Sequence, residues 1–277
     1  MTNNIEIDKI LEDELGKRTR ELTAIRATVD SILSDNSSSY YKNIQVKMAF
    51  VLLYSHWEAY IWNASVHYMD YIRQNCRYID NLSQELQRAL FKIYMDQTYI
   101  NPPTKDNHRP GSPGELLTDF NKKSAFSEIQ NFKDSRIKGK SSHHYDKIIP
   151  AMNMSYHSFK KIKKNLGLRD VFGEELEKNA KKGLNETLDQ VLAKHGANLG
   201  NLLKNRNSIA HGSTINIFEV SKDPGETKEE TEKKIESKIK SSVDEYIECH
   251  DSVVLFLTTY KDAIINSCDN SLYKKQS

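Results

Sequence analysis

The placement of proline divides this chain more sharply than any other feature of its sequence. Four of the six prolines fall within twelve residues, at Pro102, Pro103, Pro110 and Pro113, and the other two are Pro150 and Pro224. Proline lacks the N–H donor and clashes with the preceding turn, so helix interiors exclude it. Residues 1–101 and 151–223 are therefore free to be helical, and the stretch between them is expected to be rich in loops.

Apolar spacing in the rest of the chain predicts an all-α fold. Between Ile7 and Leu33 apolar residues recur every three or four positions, which is typical of an amphipathic helix. Residues 44–72 are apolar on nearly all sides, as expected for a central buried helix. The pattern at 214–220 leaves open whether that stretch is a short strand or an extended loop. Further helices are predicted at 155–165, at 173–193, in a stretch that runs into 206–211, and at 229–267.

Composition excludes several classes of protein. The 277 residues include 40 Lys and Arg against 38 Asp and Glu, so the chain is neither a polycation nor an acidic tail. No apolar run approaches the roughly 18 residues of a membrane span, and the N-terminus lacks the apolar core of a secretory signal. The three cysteines are widely spaced without a CxxC pair, which predicts reduced thiols and no zinc site. We therefore expect a cytoplasmic protein that does not span a membrane.

Charge is nevertheless uneven along the chain. Residues 120–164 hold eleven Lys and Arg but only three acidic residues, with aromatic residues interleaved. Such a segment can follow a phosphate backbone and stack bases, although a solvated lysine-rich surface would give the same pattern. The candidate RNA-binding residues are Lys122, Lys123, Lys138, Lys140, Lys160, Lys161, Lys163 and Lys164.

The segment LGNLLKNRNSIAHG, residues 199–212, carries the candidate chemistry. Arg206 lies on the apolar stripe of a predicted helix, where a guanidinium is costly unless it is paired or directed at an anionic ligand. Asn207 and His211 are four residues apart, so their side chains meet on one helix and the amide could orient the imidazole. Gly212 resembles a helix C-cap, which puts His211 at the negative end of the helix dipole and favours its protonated form. An arginine for phosphate and a titratable histidine together indicate a phosphodiester site.

Three segments resemble the HEPN superfamily, in particular its bacterial stand-alone nuclease branch. RNSIAHG at 206–212 is similar to the family signature of an arginine, a polar residue, a short helical spacer and a histidine. LLYSHWEAYIWNASVHYMDYI at 52–72 resembles the first core helix of these proteins. SFKKIKKNLGL at 158–168 resembles a segment between those two elements. The resemblance implies a HEPN-like helical bundle with extra N-terminal and C-terminal helices.

The resemblance also implies a domain organisation and a set of partners. We expect one HEPN-like domain over residues 1–277, with a loop-rich basic insertion at 98–150 and a C-terminal helix at 229–267. HEPN nucleases of this kind are metal-independent endoribonucleases that form dimers and often act in toxin–antitoxin or anti-phage loci. The expected partners are RNA and a second copy of the chain, with an antitoxin or a regulatory protein as a further partner. Neither a metal nor a cofactor is expected.

Carried over to this sequence, the family signature assigns a role to each residue of the motif. Arg206 would bind and stabilise the scissile phosphate, His211 would act as the general acid–base, and Asn207 occupies the polar position. RNA supplies its own nucleophile in the 2′-hydroxyl, so cleavage needs proton transfer and charge stabilisation but no metal. A two-fold dimer would bring two copies of His211 together, so that one can act as base and the other as acid.

Two other functions fit the sequence. One is a non-catalytic HEPN-like module that binds RNA or a nucleotide in a regulatory role. The other is a coiled-coil-like interaction protein whose partner surface is the helix at 229–267. The intact Arg206, Asn207 and His211 favour the nuclease, because a site without a catalytic role has no physical reason to keep an arginine on a packing stripe.

Glu58 is a further candidate, as a residue that would contact the catalytic side chains. It is a carboxylate among aromatic residues in HWEAYIW, and a buried acid needs a partner. The functional interpretation pairs it with Arg206 or hydrogen-bonds it to His211, and a snorkelling acid or a purely structural pair is equally open. The neighbouring His56 is expected to be a core or rim histidine. The aromatic residues expected to pack in the core or at a dimer interface are Tyr54, Trp57, Tyr60 and Trp62.

Overall fold

Six α-helices account for most of the residues that the computed structural model describes, which are 2–76, 78–95, 149, 154–168, 188–210 and 227–275. A 3₁₀ turn at Ile79–Asn81 follows the second helix, and no strand is present in these ranges. The predicted all-α fold is therefore confirmed. The helices are α1 (Thr2–Ser31), α2 (Ser39–Asn75), α3 (Gln84–Met95), α4 (Tyr156–Asn165), α5 (Leu188–Ala210) and α6 (Lys228–Asp269).

One predicted helix boundary is wrong. The spacing placed the end of a helix at residue 193, but α5 continues without interruption from Leu188 to Ala210. Two glycines at 196 and 200 lie inside this helix, and each weakens it by only about 1 kcal/mol without breaking it. Three predictions fall on residues outside the described ranges. They concern most of the loop-rich insertion at 98–150, the part of the predicted helix at 173–193 that precedes residue 188, and the stretch at 214–220, which was left open between a strand and a loop.

The long helices α2 and α6 form the centre of the bundle. Helix α6 packs against α1, α2 and α5, while α1 and α5 each also contact α2. Aromatic rings join three helices in the core: Phe256 of α6 lies 4.5 Å from Phe159 of α4 and 6.2 Å from Trp57 of α2, measured between ring centroids. The same core therefore fixes α4 against the helix that carries Glu58.

Gly167 ends α4 and packs closely against the start of α3. Gly167 has φ +65°, which is strained for residues that carry a Cβ. Its N–H donates to the Lys164 carbonyl, and the Leu168 N–H donates to the Lys163 carbonyl, which is the Schellman pattern of helix termination. A Cβ at this position would lie 3.1 Å from Oγ of Ser83, at the start of α3. The close approach fixes the end of α4 against the start of α3.

A polar cluster joins α1 to α2. Glu14 accepts hydrogen bonds from Arg18 at 2.6 Å and from Asn63 at 2.9 Å, and Arg18 also donates to the His56 carbonyl at 3.5 Å. Burial raises the pKa of Glu14, but the hydrogen bonds from Asn63 and Arg18 outweigh it and hold the pKa below its ordinary value. The carboxylate is therefore charged at neutral pH and fixes the register between the two helices.

Two further expectations concern the cysteines and the membrane-spanning potential of the helices. All three cysteines, Cys76, Cys249 and Cys268, are buried free thiols, in line with the prediction of reduced cysteines. None of the helices in the described ranges combines the length and the apolar character that crossing a membrane requires.

Candidate active site

Arg206 lies in the last turn of α5, where its guanidinium rests on an aromatic ring. Its Cζ atom is 4.8 Å from the centroid of the Tyr54 ring on α2, within the range of a cation–π interaction. The arginine is half-buried. On the same helix, Leu199 and Leu202 are fully buried, whereas Ala210 is exposed. Ile209 still packs against the core, so the apolar face of α5 stays in contact with it beyond the arginine.

Asn207 contacts the guanidinium directly. Nη1 of Arg206 donates a hydrogen bond to Oδ1 of Asn207 at 2.8 Å. The predicted contact of Asn207 was with His211 instead, and His211 lies outside the described residues. The amide and the Tyr54 ring together constrain the arginine from its edge and from its face.

Glu58 is linked to Arg206 through Tyr54. The Tyr54 hydroxyl donates to Oε1 of Glu58 at 3.0 Å, and the backbone N–H of Met154 donates to the same oxygen at 3.3 Å. These bonds place the phenol ring between the carboxylate and the guanidinium, whereas the prediction paired Glu58 directly with Arg206 or hydrogen-bonded it to His211. A role for Glu58 in the site stays a prediction. Met154 immediately precedes Ser155, the N-cap of α4, so Glu58 also anchors the chain where α4 begins.

Electrostatics keep the phenol of Tyr54 neutral. Burial raises its pKa most, the nearby carboxylate of Glu58 raises it further, and the positive charge of Arg206 offsets only part of this. The protonated hydroxyl is then a permanent donor to Glu58. A neutral ring also presents the electron-rich face that attracts the guanidinium.

Only some of the candidate RNA-binding lysines can be placed. Lys160, Lys161 and Lys164 are exposed on α4, which packs against α3 and α5. Lys163 does not belong with them, since only 9% of it is exposed. It lies four positions after the buried Phe159, so both side chains share the core-facing side of the helix. The remaining candidates, Lys122, Lys123, Lys138 and Lys140, lie outside the described residues.

The other histidines near the bundle core have structural partners. Nε2 of His56 lies 3.4 Å from Glu21 at the rim of the α1–α2 contact, as expected for a rim histidine. Burial lowers the pKa of His56, although the charge of Glu21 opposes this shift. Nδ1 of His250 lies 3.0 Å from Asp251 and 3.2 Å from the guanidinium of Arg26. Among the residues with a described position, no group of three His, Cys, Asp or Glu side chains is arranged to hold a metal ion.

Tyr54 is the site residue that the sequence did not reveal. It was predicted only to pack, and it does so with 1% exposure and an edge-on contact to Trp57 at 5.8 Å. One signal pointed to more, because Tyr54 and Glu58 are four residues apart and therefore neighbours on one face of α2. The partnership with Arg206 had no sequence signal, because it joins helices about 150 residues apart.

Comparison with protein families places these helices in a known group. The HEPN_MAE_28990-like HEPN family model matches residues 7–273, nearly the whole chain, including the helices that carry Glu58 and Arg206. No curated protein and no solved structure matches the chain. The resemblance seen in the motif at 206–212 is thus supported over a far longer stretch than the motif itself. On this evidence, the chain belongs to the HEPN_MAE_28990-like HEPN family.

Proposed function

We propose that this chain is a metal-independent endoribonuclease that cleaves RNA at a site built around Arg206 and His211. The carrying observation is the position of Arg206, which is half-buried in the last turn of α5 and held by the Tyr54 ring and Asn207. Membership of a HEPN family supports a nuclease-like or RNA-related function. Position 211 follows α5 directly and comes five residues after the arginine in the sequence, and an arginine and a histidine this close in the chain suit a shared phosphate.

The proposed reaction uses the 2′-hydroxyl of RNA as the nucleophile. A base removes the proton from the 2′-hydroxyl, the 2′-oxygen attacks phosphorus, and the bond from phosphorus to the 5′-oxygen breaks. An acid returns a proton to that leaving oxygen, so the products are a 2′,3′-cyclic phosphate and a 5′-hydroxyl. His211 moves the protons, because imidazole titrates near neutral pH. Arg206 stabilises the additional negative charge on the phosphate oxygens through paired N–H donors.

A homodimer is part of this proposal. Each chain contributes one His211, but in-line cleavage uses one base and one acid at opposite ends of the same phosphate. Two-fold symmetry supplies both, since it brings the same segment of each copy to one axis. The active species is therefore expected to contain two chains.

Helix α4 provides a surface for the RNA strand. Lys160, Lys161 and Lys164 are exposed on a helix that packs against α5 and begins next to Glu58. Cationic side chains at this spacing neutralise successive phosphates and make binding sensitive to salt. Lys122, Lys123, Lys138 and Lys140 are proposed to extend the same surface.

The biological setting is proposed from family membership. A nuclease of this type would act in the cytoplasm as a toxin or an anti-phage defence effector, arresting growth when it is released. An enzyme that cuts cellular RNA needs restraint, so we propose an antitoxin or a regulatory protein as its partner.

The proposal is tested by following cleavage of a labelled RNA in EDTA. We expect the same rate in EDTA and in Mg²⁺, and no cleavage of the DNA of identical sequence, because DNA lacks the 2′-hydroxyl. An RNA with a single 2′-deoxy nucleotide at the cleaved position serves as the matched control and should resist at that position alone. Loss of activity in EDTA, or equal cleavage of the DNA, would contradict the mechanism.

A non-catalytic RNA-binding module is the alternative outcome. The exposed lysines of α4 would serve such a module equally well. Stable RNA binding without cleavage, unchanged in His211→Ala, would favour it over the nuclease. The salt dependence of that binding would then measure how many phosphates the lysines contact.

A further inference from the structure

The geometry points to Tyr54 as a positioning residue for Arg206, one that sets the plane of the guanidinium through its ring and fixes that ring through its hydroxyl bond to Glu58. This inference rests on the proposed nuclease function, in which Arg206 touches the phosphate. Tyr54 itself lies beneath the arginine and acts through it.

An arginine that binds a phosphate in a defined geometry needs external support. Its long side chain has many rotamers, and a guanidinium recognises phosphate through a planar fork, so its plane must be fixed before the substrate arrives. The Tyr54 ring, 4.8 Å from Cζ, constrains the guanidinium through one face. The bond from Nη1 to Asn207 fixes the rotation within that plane. The ring therefore acts on the face of the guanidinium and the amide acts on its edge.

The ring can provide this support because it is itself tightly packed. Tyr54 is 1% exposed and packs edge-on against Trp57. Its hydroxyl donates to Glu58, which also accepts from the Met154 N–H at the entrance to α4. The side chain therefore contacts the arginine directly, and through Glu58 it is linked to Met154, the residue before the N-cap of the lysine-bearing helix. Tyr54 thus links the orientation of Arg206 to the placement of α4.

Two substitutions separate the ring from the hydroxyl. Tyr54→Phe keeps the ring and removes the bond to Glu58, so kcat should fall by about threefold to tenfold, the value of one hydrogen bond. Tyr54→Leu removes the ring and should lower kcat by about tenfold to a hundredfold, because the orientation of the guanidinium plane is no longer fixed. The KM for RNA should change much less, since the exposed lysines remain.

Tyr60 provides the matched controls. It is fully buried on the same helix, and its hydroxyl lies 3.5 Å from the Leu11 carbonyl in the α1–α2 contact. Tyr60→Phe and Tyr60→Leu make the same chemical changes in the same core. They should lower thermal stability like their Tyr54 counterparts but leave kcat per folded molecule unchanged. If Tyr54→Leu does not fold, Tyr54→Met removes the ring while filling more of its volume.

The decisive test is a double-mutant cycle with Arg206→Lys. Lysine keeps the charge but has no plane to orient, so Tyr54→Leu should cost much less in the Arg206→Lys background than in the wild type. Non-additive effects on kcat support the positioning role. If the wild type cleaves RNA and Tyr54→Leu lowers kcat by the same factor in both backgrounds, only the role of Tyr54 is overturned. If the wild type does not cleave RNA, the proposed function itself fails.

Discussion

Replacing His211 with alanine is expected to lower kcat/KM for RNA cleavage by about 10³-fold, and Arg206→Ala should have an effect of similar size. A positioned general acid–base contributes about 10²- to 10⁴-fold, and one group that stabilises the developing charge contributes about 10²- to 10³-fold. Both variants should still bind RNA, because the exposed lysines of α4 are intact. The measurement is single-turnover cleavage of a labelled RNA alongside its binding by titration.

Conservative and distant substitutions make this prediction specific. Arg206→Lys keeps the charge but loses the planar fork, so it should retain more activity than Arg206→Ala and less than the wild type. His157→Ala removes an exposed histidine from the lysine-bearing helix and should leave cleavage unchanged. Full activity in His211→Ala and in Arg206→Ala would refute the proposed site, even with the fold unchanged.

The largest expected effect on stability comes from Trp57→Ala in α2. Trp57 is fully buried and packs edge-on against Tyr54 and Phe256, so its removal leaves a large cavity where α2 meets α6. Substitutions of this kind cost about 3–5 kcal/mol in the free energy of unfolding. That loss is a large part of the free energy of unfolding of an ordinary domain, which is about 5–15 kcal/mol. Urea unfolding followed by circular dichroism at 222 nm measures it through the helices.

Two companion variants define what the tryptophan contributes. The indole Nε1 has no hydrogen-bond partner among the described residues, so Trp57→Phe loses apolar volume without breaking a hydrogen bond. We expect a cost below about 2 kcal/mol for it, since an aromatic ring still fills most of the space. Tyr40→Ala, at a site that is 75% exposed, should cost about 0.5 kcal/mol or less. An equally small cost for Trp57→Ala would contradict the central role of this aromatic core.

The helical class followed from the sequence because apolar period and proline placement agree along most of the chain. The central helix was predicted at 44–72 and extends over Ser39–Asn75, because the Ser38 hydroxyl caps it earlier than the apolar pattern begins. The continuous α5 was missed because two internal glycines and mixed polarity weaken the periodic signal. Packing against α2 and α6 stabilises that helix, and such contacts are not readable from local propensity.

The candidate site was predictable where its parts are close in sequence. The spacing within 206–212 identified Arg206 and Asn207, and an acid among aromatic residues drew attention to Glu58. Tyr54 escaped because its partner lies on another helix. Lys163 was misassigned because composition records a lysine but not the side of the helix on which it lies. The amphipathic phase of α4, set by Phe159, would have separated it from its exposed neighbours.

The chemical identity of the cleaved ends tests the central claim most directly. RNA cut in EDTA by the purified chain is digested to nucleotides, and its new 3′ termini are identified by mass spectrometry. Attack by the 2′-hydroxyl predicts 2′,3′-cyclic phosphate, or the 3′-phosphate formed from it, opposite a 5′-hydroxyl. A 3′-hydroxyl opposite a 5′-phosphate would mean that water, not the RNA itself, attacks phosphorus, and would contradict the account.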